Sequence, residues 1–145
     1  MWEQLALIRC LTVHAYSEGP SNIWDRQGTG QVKAIPTDGK ALIFEESGYW
    51  KNCAGKNIPF RNTFKWVQDS ERRISLSHLR YGPEQPVYLF TFTKITNKLW
   101  YCEVPHQCAM DQYAAEAIIR KDEIRLNWKI TGPRKNENLH YCYQP

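Results

Sequence analysis

No stretch of this chain is apolar for long enough to span a membrane, and nothing at its start joins a basic region to an apolar run as a secretory leader does. Both absences point to the cytoplasm and away from a membrane. The five cysteines, Cys10, Cys53, Cys102, Cys108 and Cys142, are odd in number and form no C-x-x-C pair. Neither a zinc ribbon, a redox dithiol nor a disulfide framework is expected, and all five thiols should be reduced. Clustered positive charge is missing too. The net charge is +4, yet basic neighbours occur only as Arg72-Arg73, Arg120-Lys121 and Arg134-Lys135, each at an expected turn or strand end, so nucleic acid is not an expected partner. Sustained helical periodicity, internal repeats and low-complexity linkers are also lacking. At 145 residues the chain is expected to form a single domain over residues 1–145, large enough to bury its own core.

Aromatic residues are abundant. Six Trp, eight Tyr and five Phe recur at alternate positions, which favours sheet over helix. Phe60, Asn62, Phe64 and Trp66 alternate with Arg61, Thr63, Lys65 and Val67, so one face is mostly aromatic and the other mostly polar. The same period marks residues 74–79, 87–93 and 124–131 as strands. Further strands are expected at about 30–35, 41–46, 99–104, 113–120 and 139–143. Turn chemistry separates them at Pro36-Thr37-Asp38-Gly39, Asp69-Ser70-Glu71, Tyr81-Gly82-Pro83, Thr96-Asn97-Lys98 and Lys121-Asp122. The segment from Trp2 to Tyr16 is compatible with either helix or strand. Short polar turns between strands imply an antiparallel meander, and about nine or ten strands would leave costly free edges unless the sheet closes. The expected fold is all-β: one meander barrel with little helix, able to enclose one small ligand.

Candidate chemistry concentrates in His106-Gln107-Cys108-Ala109-Met110-Asp111-Gln112-Tyr113 and in Trp128-Lys129-Ile130-Thr131-Gly132-Pro133-Arg134-Lys135. His106 and Asp111 could form a base and its orienting carboxylate; equally, a histidine after Pro105 could tie down a loop. In the catalytic reading Tyr113 or Arg134 stabilises developing negative charge. Cys108 is a candidate nucleophile beside His106, or an inert thiol. A metal held by His106, Cys108 and Asp111 lacks companions of suitable spacing, and no metal is expected. Trp66 and Trp128 should face the interior, as core or as stacking surfaces for a ligand. Gly132-Pro133 should deliver Arg134 and Lys135 to a rim, where they could hold a carboxylate or phosphate. Glu45 and Glu46 must point to opposite faces; whichever turns inward needs a partner, for which Arg61 or Lys65 is suitably placed.

The chain resembles the bacterial and fungal family DUF6314. The resemblance runs through Gly28-Thr29-Gly30-Gln31-Val32, Leu42-Ile43-Phe44-Glu45-Glu46-Ser47-Gly48, Phe64-Lys65-Trp66, the H-x-C-x-x-D-x-Y element at 106–113, the W-x-x-x-G-P-x-K element at 128–135, and Tyr141. It implies a compact calycin-like barrel, lipocalin-like or nitrobindin-like, and no established activity. This sequence departs from the family pattern in lacking an N-terminal G-x-W. It also carries Leu79-Arg80-Tyr81-Gly82-Pro83 running into Val87-Tyr88-Leu89-Phe90, where the family has D-G-R and a histidine strand. The expectation is a barrel that binds an apolar or aromatic small molecule, with Trp66, Arg61, Glu45, Trp128, Arg134, Lys135 and Tyr141 contributing to the site. The alternative is a cofactor-free isomerase, cyclase or hydrolase of specialised metabolism, using His106, Asp111 and Tyr113. No cofactor is expected in either case, and both are compatible with a homodimer. An interaction module would instead require an exposed aromatic patch.

Overall fold

The computed structural model describes residues 1–18, 24–37, 39–52 and 54–145. Cys53, and Asp38 of the expected turn at 36–39, lie outside the described residues. Among the described residues a short helix, α1 (Trp2–Leu5), precedes eleven strands. These are β1 (Cys10–Ser17), β2 (Asp25–Thr37), β3 (Ala41–Lys51), β4 (Asn57–Ser70), β5 (Arg73–His78), β6 (Val87–Lys94), β7 (Leu99–Tyr101), β8 (His106–Cys108), β9 (Asp111–Ile119), β10 (Ile124–Thr131) and β11 (Asn136–Gln144). The N-terminal segment is thus helix first and strand afterwards, which accounts for its mixed periodicity.

Each strand pairs antiparallel with the next from β1 to β7; β7 pairs β9, β9 pairs β10, β10 pairs β11, and β11 returns to β1. The sheet is therefore a closed meander barrel. Its wall has ten positions, because β8 also pairs β9, further along the place that β7 occupies. The Cys102 amide still donates to the Ala115 carbonyl oxygen of β9 at 3.0 Å, and the backbone leaves the ladder over residues 103–105, where Pro105 has no amide hydrogen to give it. β2, β3, β4 and β11 run longer than alternation alone suggested. β4 continues through Asp69-Ser70 by a register shift between Gln68 and Ser70, so its turn is made by Glu71 and Arg72, whose amide donates to Ser70 Oγ at 3.2 Å.

Long strands must coil to close a barrel, and glycine allows it where β2 and β3 press together. Gly30 and Gly48 are register partners. A Cβ on Gly48 would run into the Thr29 carbonyl oxygen and lie 2.6 Å from Gly30 Cα, so a side chain there would force the strands apart.

Alternation sends Leu11, Val13, Phe44, Phe64, Trp66 and Leu126 inward, all buried in one core. One end is sealed: α1 sits there with Leu5 and Ile8 buried, and Gln4 Nε2 donates to the Arg120 carbonyl oxygen at 2.8 Å in the β9–β10 turn. The opposite end carries the β3–β4, β5–β6, β8–β9 and β10–β11 connections. Outside the barrel, strand closure assembles a polar ladder. His140 Nδ1 lies 2.7 Å from Asn127 Oδ1, Asn127 donates to Glu116 at 2.8 Å, and the Tyr16 hydroxyl lies 3.2 Å from His140 Nε2. Burial, with His14 nearby, holds the His140 pKa below its usual value, which suits a neutral ring donating at Nδ1 and accepting at Nε2.

Candidate functional site

The two sequence motifs meet at the open end. In the β8–β9 hairpin His106 pairs Tyr113 and Cys108 pairs Asp111, while Tyr113 pairs Ile130 across β9–β10. Ala109, in the turn of this hairpin, adopts φ 54°, a left-handed conformation unfavourable to a residue with a Cβ. Asp111 Oδ2 lies 3.2 Å from Lys135 Nζ. Asp111 Oδ1 occupies the space that a Cβ on Gly132 would fill, so the glycine of the second motif accommodates the carboxylate of the first. Hydrogen bonding to Asp111 is the main cause that raises the Lys135 pKa.

This geometry corrects two expectations. Asp111 clasps the β10–β11 turn through Lys135, and no hydrogen bond or ion pair joins it to His106 among the described residues. The reason is register: in the hairpin His106 stands opposite Tyr113, two positions further along β9 than Asp111. Lys135 is correspondingly committed to Asp111, and Arg134 is exposed.

His106 instead turns its ring toward Tyr88, edge-on with centroids 4.8 Å apart, and lies 6.4 Å from the Tyr113 ring. These residues line a small recess of about 40 Å³ together with His78, Arg80, Leu89 and Cys108. A register shift between Leu76 and Ser77 places Val87 opposite His78 and Tyr88 opposite Ser77. Burial, then the charge of Arg80, lowers the His78 pKa; its ring packs 4.8 Å from Phe64. Sequence alternation alone missed His78, Arg80 and Tyr88 as site residues, because the bulge and the loop after β5 bring them to β8. The visible signal was the departure from the family pattern at Leu79–Phe90.

Deeper inside, Trp128 packs against Phe90 at 5.1 Å, Tyr141 at 5.3 Å and Phe64 at 5.9 Å. Trp66 lies between Phe44 at 5.8 Å and Phe92 at 6.1 Å. Both indoles are interior, as expected, and both Nε1 donors are buried without a partner. Tyr141 is 5% exposed; its hydroxyl makes no hydrogen bond among the described residues, and burial pushes its pKa far up.

Of the adjacent glutamates, Glu46 points inward and is 2% exposed. Glu45 is exposed on the outer wall, 3.7 Å from Lys33. Arg61 is exposed too, because odd positions of β3 and β4 face outward. Neither Glu45 nor Arg61 therefore lines the interior, which corrects their placement in a barrel site. Glu46 finds neutral partners instead of Arg61 or Lys65: the Tyr143 hydroxyl donates to Oε1 at 2.7 Å and Asn62 Nδ2 lies 3.3 Å from Oε2. Burial pushes the carboxyl up to about 7, while the two hydrogen bonds pull the other way.

The family model for DUF6314, a family of unknown function, matches residues 14–145. The chain belongs to DUF6314. No curated protein matches it by sequence. In structure, this DUF6314 protein is similar to a redesigned β-barrel, mFAP1, solved bound to DFHBI; the TM-score is 0.49 and the identity 11%, over 98% of this chain and 96% of that one.

Within the DUF6314 barrel Cys10, Cys102, Cys108 and Cys142 are free thiols. Cys102 is buried and its thiol is pushed up by that burial. Cys142 is pushed up to about 11, by burial first and then by Glu123, toward which its thiol donates at 3.1 Å. Among the described residues no group of three or more His, Cys, Asp or Glu is arranged to hold a metal ion. No described helix is long and apolar enough to cross a membrane.

Proposed function

We propose that this DUF6314 protein binds a small aromatic or apolar molecule carrying a hydrogen-bond acceptor, in the open half of its barrel. The observation that carries this reading is the Trp128 indole N–H, buried and without a partner among the described residues, beside Tyr141 at 5.3 Å between ring centroids, whose hydroxyl makes no hydrogen bond among the described residues. Leaving a buried donor unsatisfied costs roughly 1 to 3 kcal/mol; an acceptor on a ligand would relieve that cost. At the end opposite α1, Trp50, Phe60, Leu89, Tyr113 and Leu139 are only partly buried against the core. The surrounding loops expose Tyr81, Val104 and Met110, an apolar approach to the mouth. A catalytic reading needs an orienting partner for His106, and Asp111 is engaged by Lys135; binding is therefore the reading adopted.

The test uses prodan, a neutral naphthalene ketone whose emission reports polarity. Saturable one-to-one binding with a blue shift is expected, together with quenching of indole fluorescence. Trp128→Phe removes the N–H and keeps an aromatic ring, so affinity should fall about fivefold, equivalent to one hydrogen bond of about 1 kcal/mol, measured on protein shown to be folded, since the smaller ring also gives up core packing. Absence of saturable binding would overturn the reading. Wild-type affinity in folded Trp128→Phe would remove the indole from it.

A further inference from the structure

We propose that the ligand of this barrel carries an anionic head, a carboxylate or a chemically similar oxyanion, which Arg80 holds at the mouth with the imidazoles of His78 and His106. The proposal rests on the binding function above and names the class of molecule that would be bound.

The recess at the mouth is lined by Arg80, His78, His106, Tyr88, Cys108 and Tyr113 among others, and by no carboxylate. Its nitrogen donors reach it from separate elements: His78 from β5, Arg80 from the loop beyond, and His106 from β8. Such convergence is what recognition of a single compact group requires. Arg80 forms no ion pair among the described residues; its guanidinium lies over the Tyr81 ring at 5.0 Å, a contact that leaves its hydrogen-bonding edges unused. Asp111, the carboxylate of the neighbouring hairpin, is committed to Lys135 at 3.2 Å. The mouth therefore presents a cation and two imidazoles with their anionic counterpart missing.

A guanidinium offers two parallel N–H groups, the arrangement a carboxylate accepts bidentately, and imidazole N–H groups can complete its shell. Tyr113 and Leu89 line the same recess and also pack against the barrel core. They join the polar mouth to the aromatic interior. An aromatic acid lying with its ring inward and its carboxylate outward would satisfy both ends. Arg134 and Lys135, candidates for this role from sequence, do not line the recess.

The experiment compares 2-naphthoate with its neutral isostere 2-naphthamide by calorimetry at pH 7.5 on the full chain. The wild type should bind 2-naphthoate at least tenfold more tightly, a preference that weakens as salt is raised. Arg80→Gln should abolish the preference and leave 2-naphthamide affinity within twofold. Arg80→Lys, which keeps the charge without the fork, should restore only part of it, and Arg134→Gln should leave both affinities within twofold. Equal binding of the two compounds by the wild type, or an unchanged preference in Arg80→Gln, would overturn the anionic head while the barrel-binding reading stands. Failure of both compounds and of prodan to bind would instead overturn that reading, and this proposal with it.

Discussion

Replacing Glu46 by glutamine isolates a carboxyl that the barrel buries without a cation. In the native protein its pKa is pushed up to about 7 from an ordinary value of 4.5, so the native state holds the proton more tightly than the unfolded chain does. Between about pH 4.5 and pH 7 the unfolded chain has released that proton while the native protein keeps it. Stability from this group is therefore complete below pH 4.5, falls as pH rises, and is lost above about pH 7. At about 1.4 kcal/mol per pH unit, the gap corresponds to about 3 kcal/mol. Glutamine keeps the shape and a carbonyl to accept from Tyr143, yet cannot ionise. Relative to wild type, Glu46→Gln should therefore gain about 3 kcal/mol between pH 4 and pH 8. Urea unfolding of both proteins at pH 4, 6 and 8 measures this, and other titrating groups cancel in the difference. A stability difference that stays constant across those pH values would refute the argument, since it would mean that Glu46 titrates alike in both states.

Gly48→Ala should cost about 1 to 3 kcal/mol in equilibrium unfolding, because the added carbon meets the backbone of β2 and that strand can yield only by disturbing the coil; a neutral substitution would show that the Gly30–Gly48 approach is not needed for closure. Asp111→Asn should lose about 1 kcal/mol or less, as a partly exposed ion pair does, with the loss shrinking at high salt. Prodan affinity should be unaffected by it, and a large selective loss of binding would place Asp111 in the site after all.

Local pattern and physical chemistry determined much of this protein. Alternation in residues such as 60–67 and 124–131 shows which side chains turn inward, since a pleated strand has a strict period of two, and closure follows from the cost of free edges in a large meander. Trp66 and Trp128 could therefore be placed inside from sequence, and the H-x-C-x-x-D-x-Y and W-x-x-x-G-P-x-K elements could be singled out. Partnership was a different matter, because it depends on register between strands distant in the chain. Alternation required that Glu45 and Glu46 face opposite ways; only the closed barrel decided that Glu46 is the inward one, since its partner Tyr143 arrives on β11 from 97 residues away. Proximity along the chain suggested His106 with Asp111, whereas the hairpin set His106 opposite Tyr113 and gave Asp111 to Lys135. The mouth that gathers His78, Arg80 and His106 exists only through the bulge in β5–β6 and the break between β7 and β8. Periodicity reports the face a residue takes; a bulge or a break changes which neighbours meet on that face, and those are tertiary events.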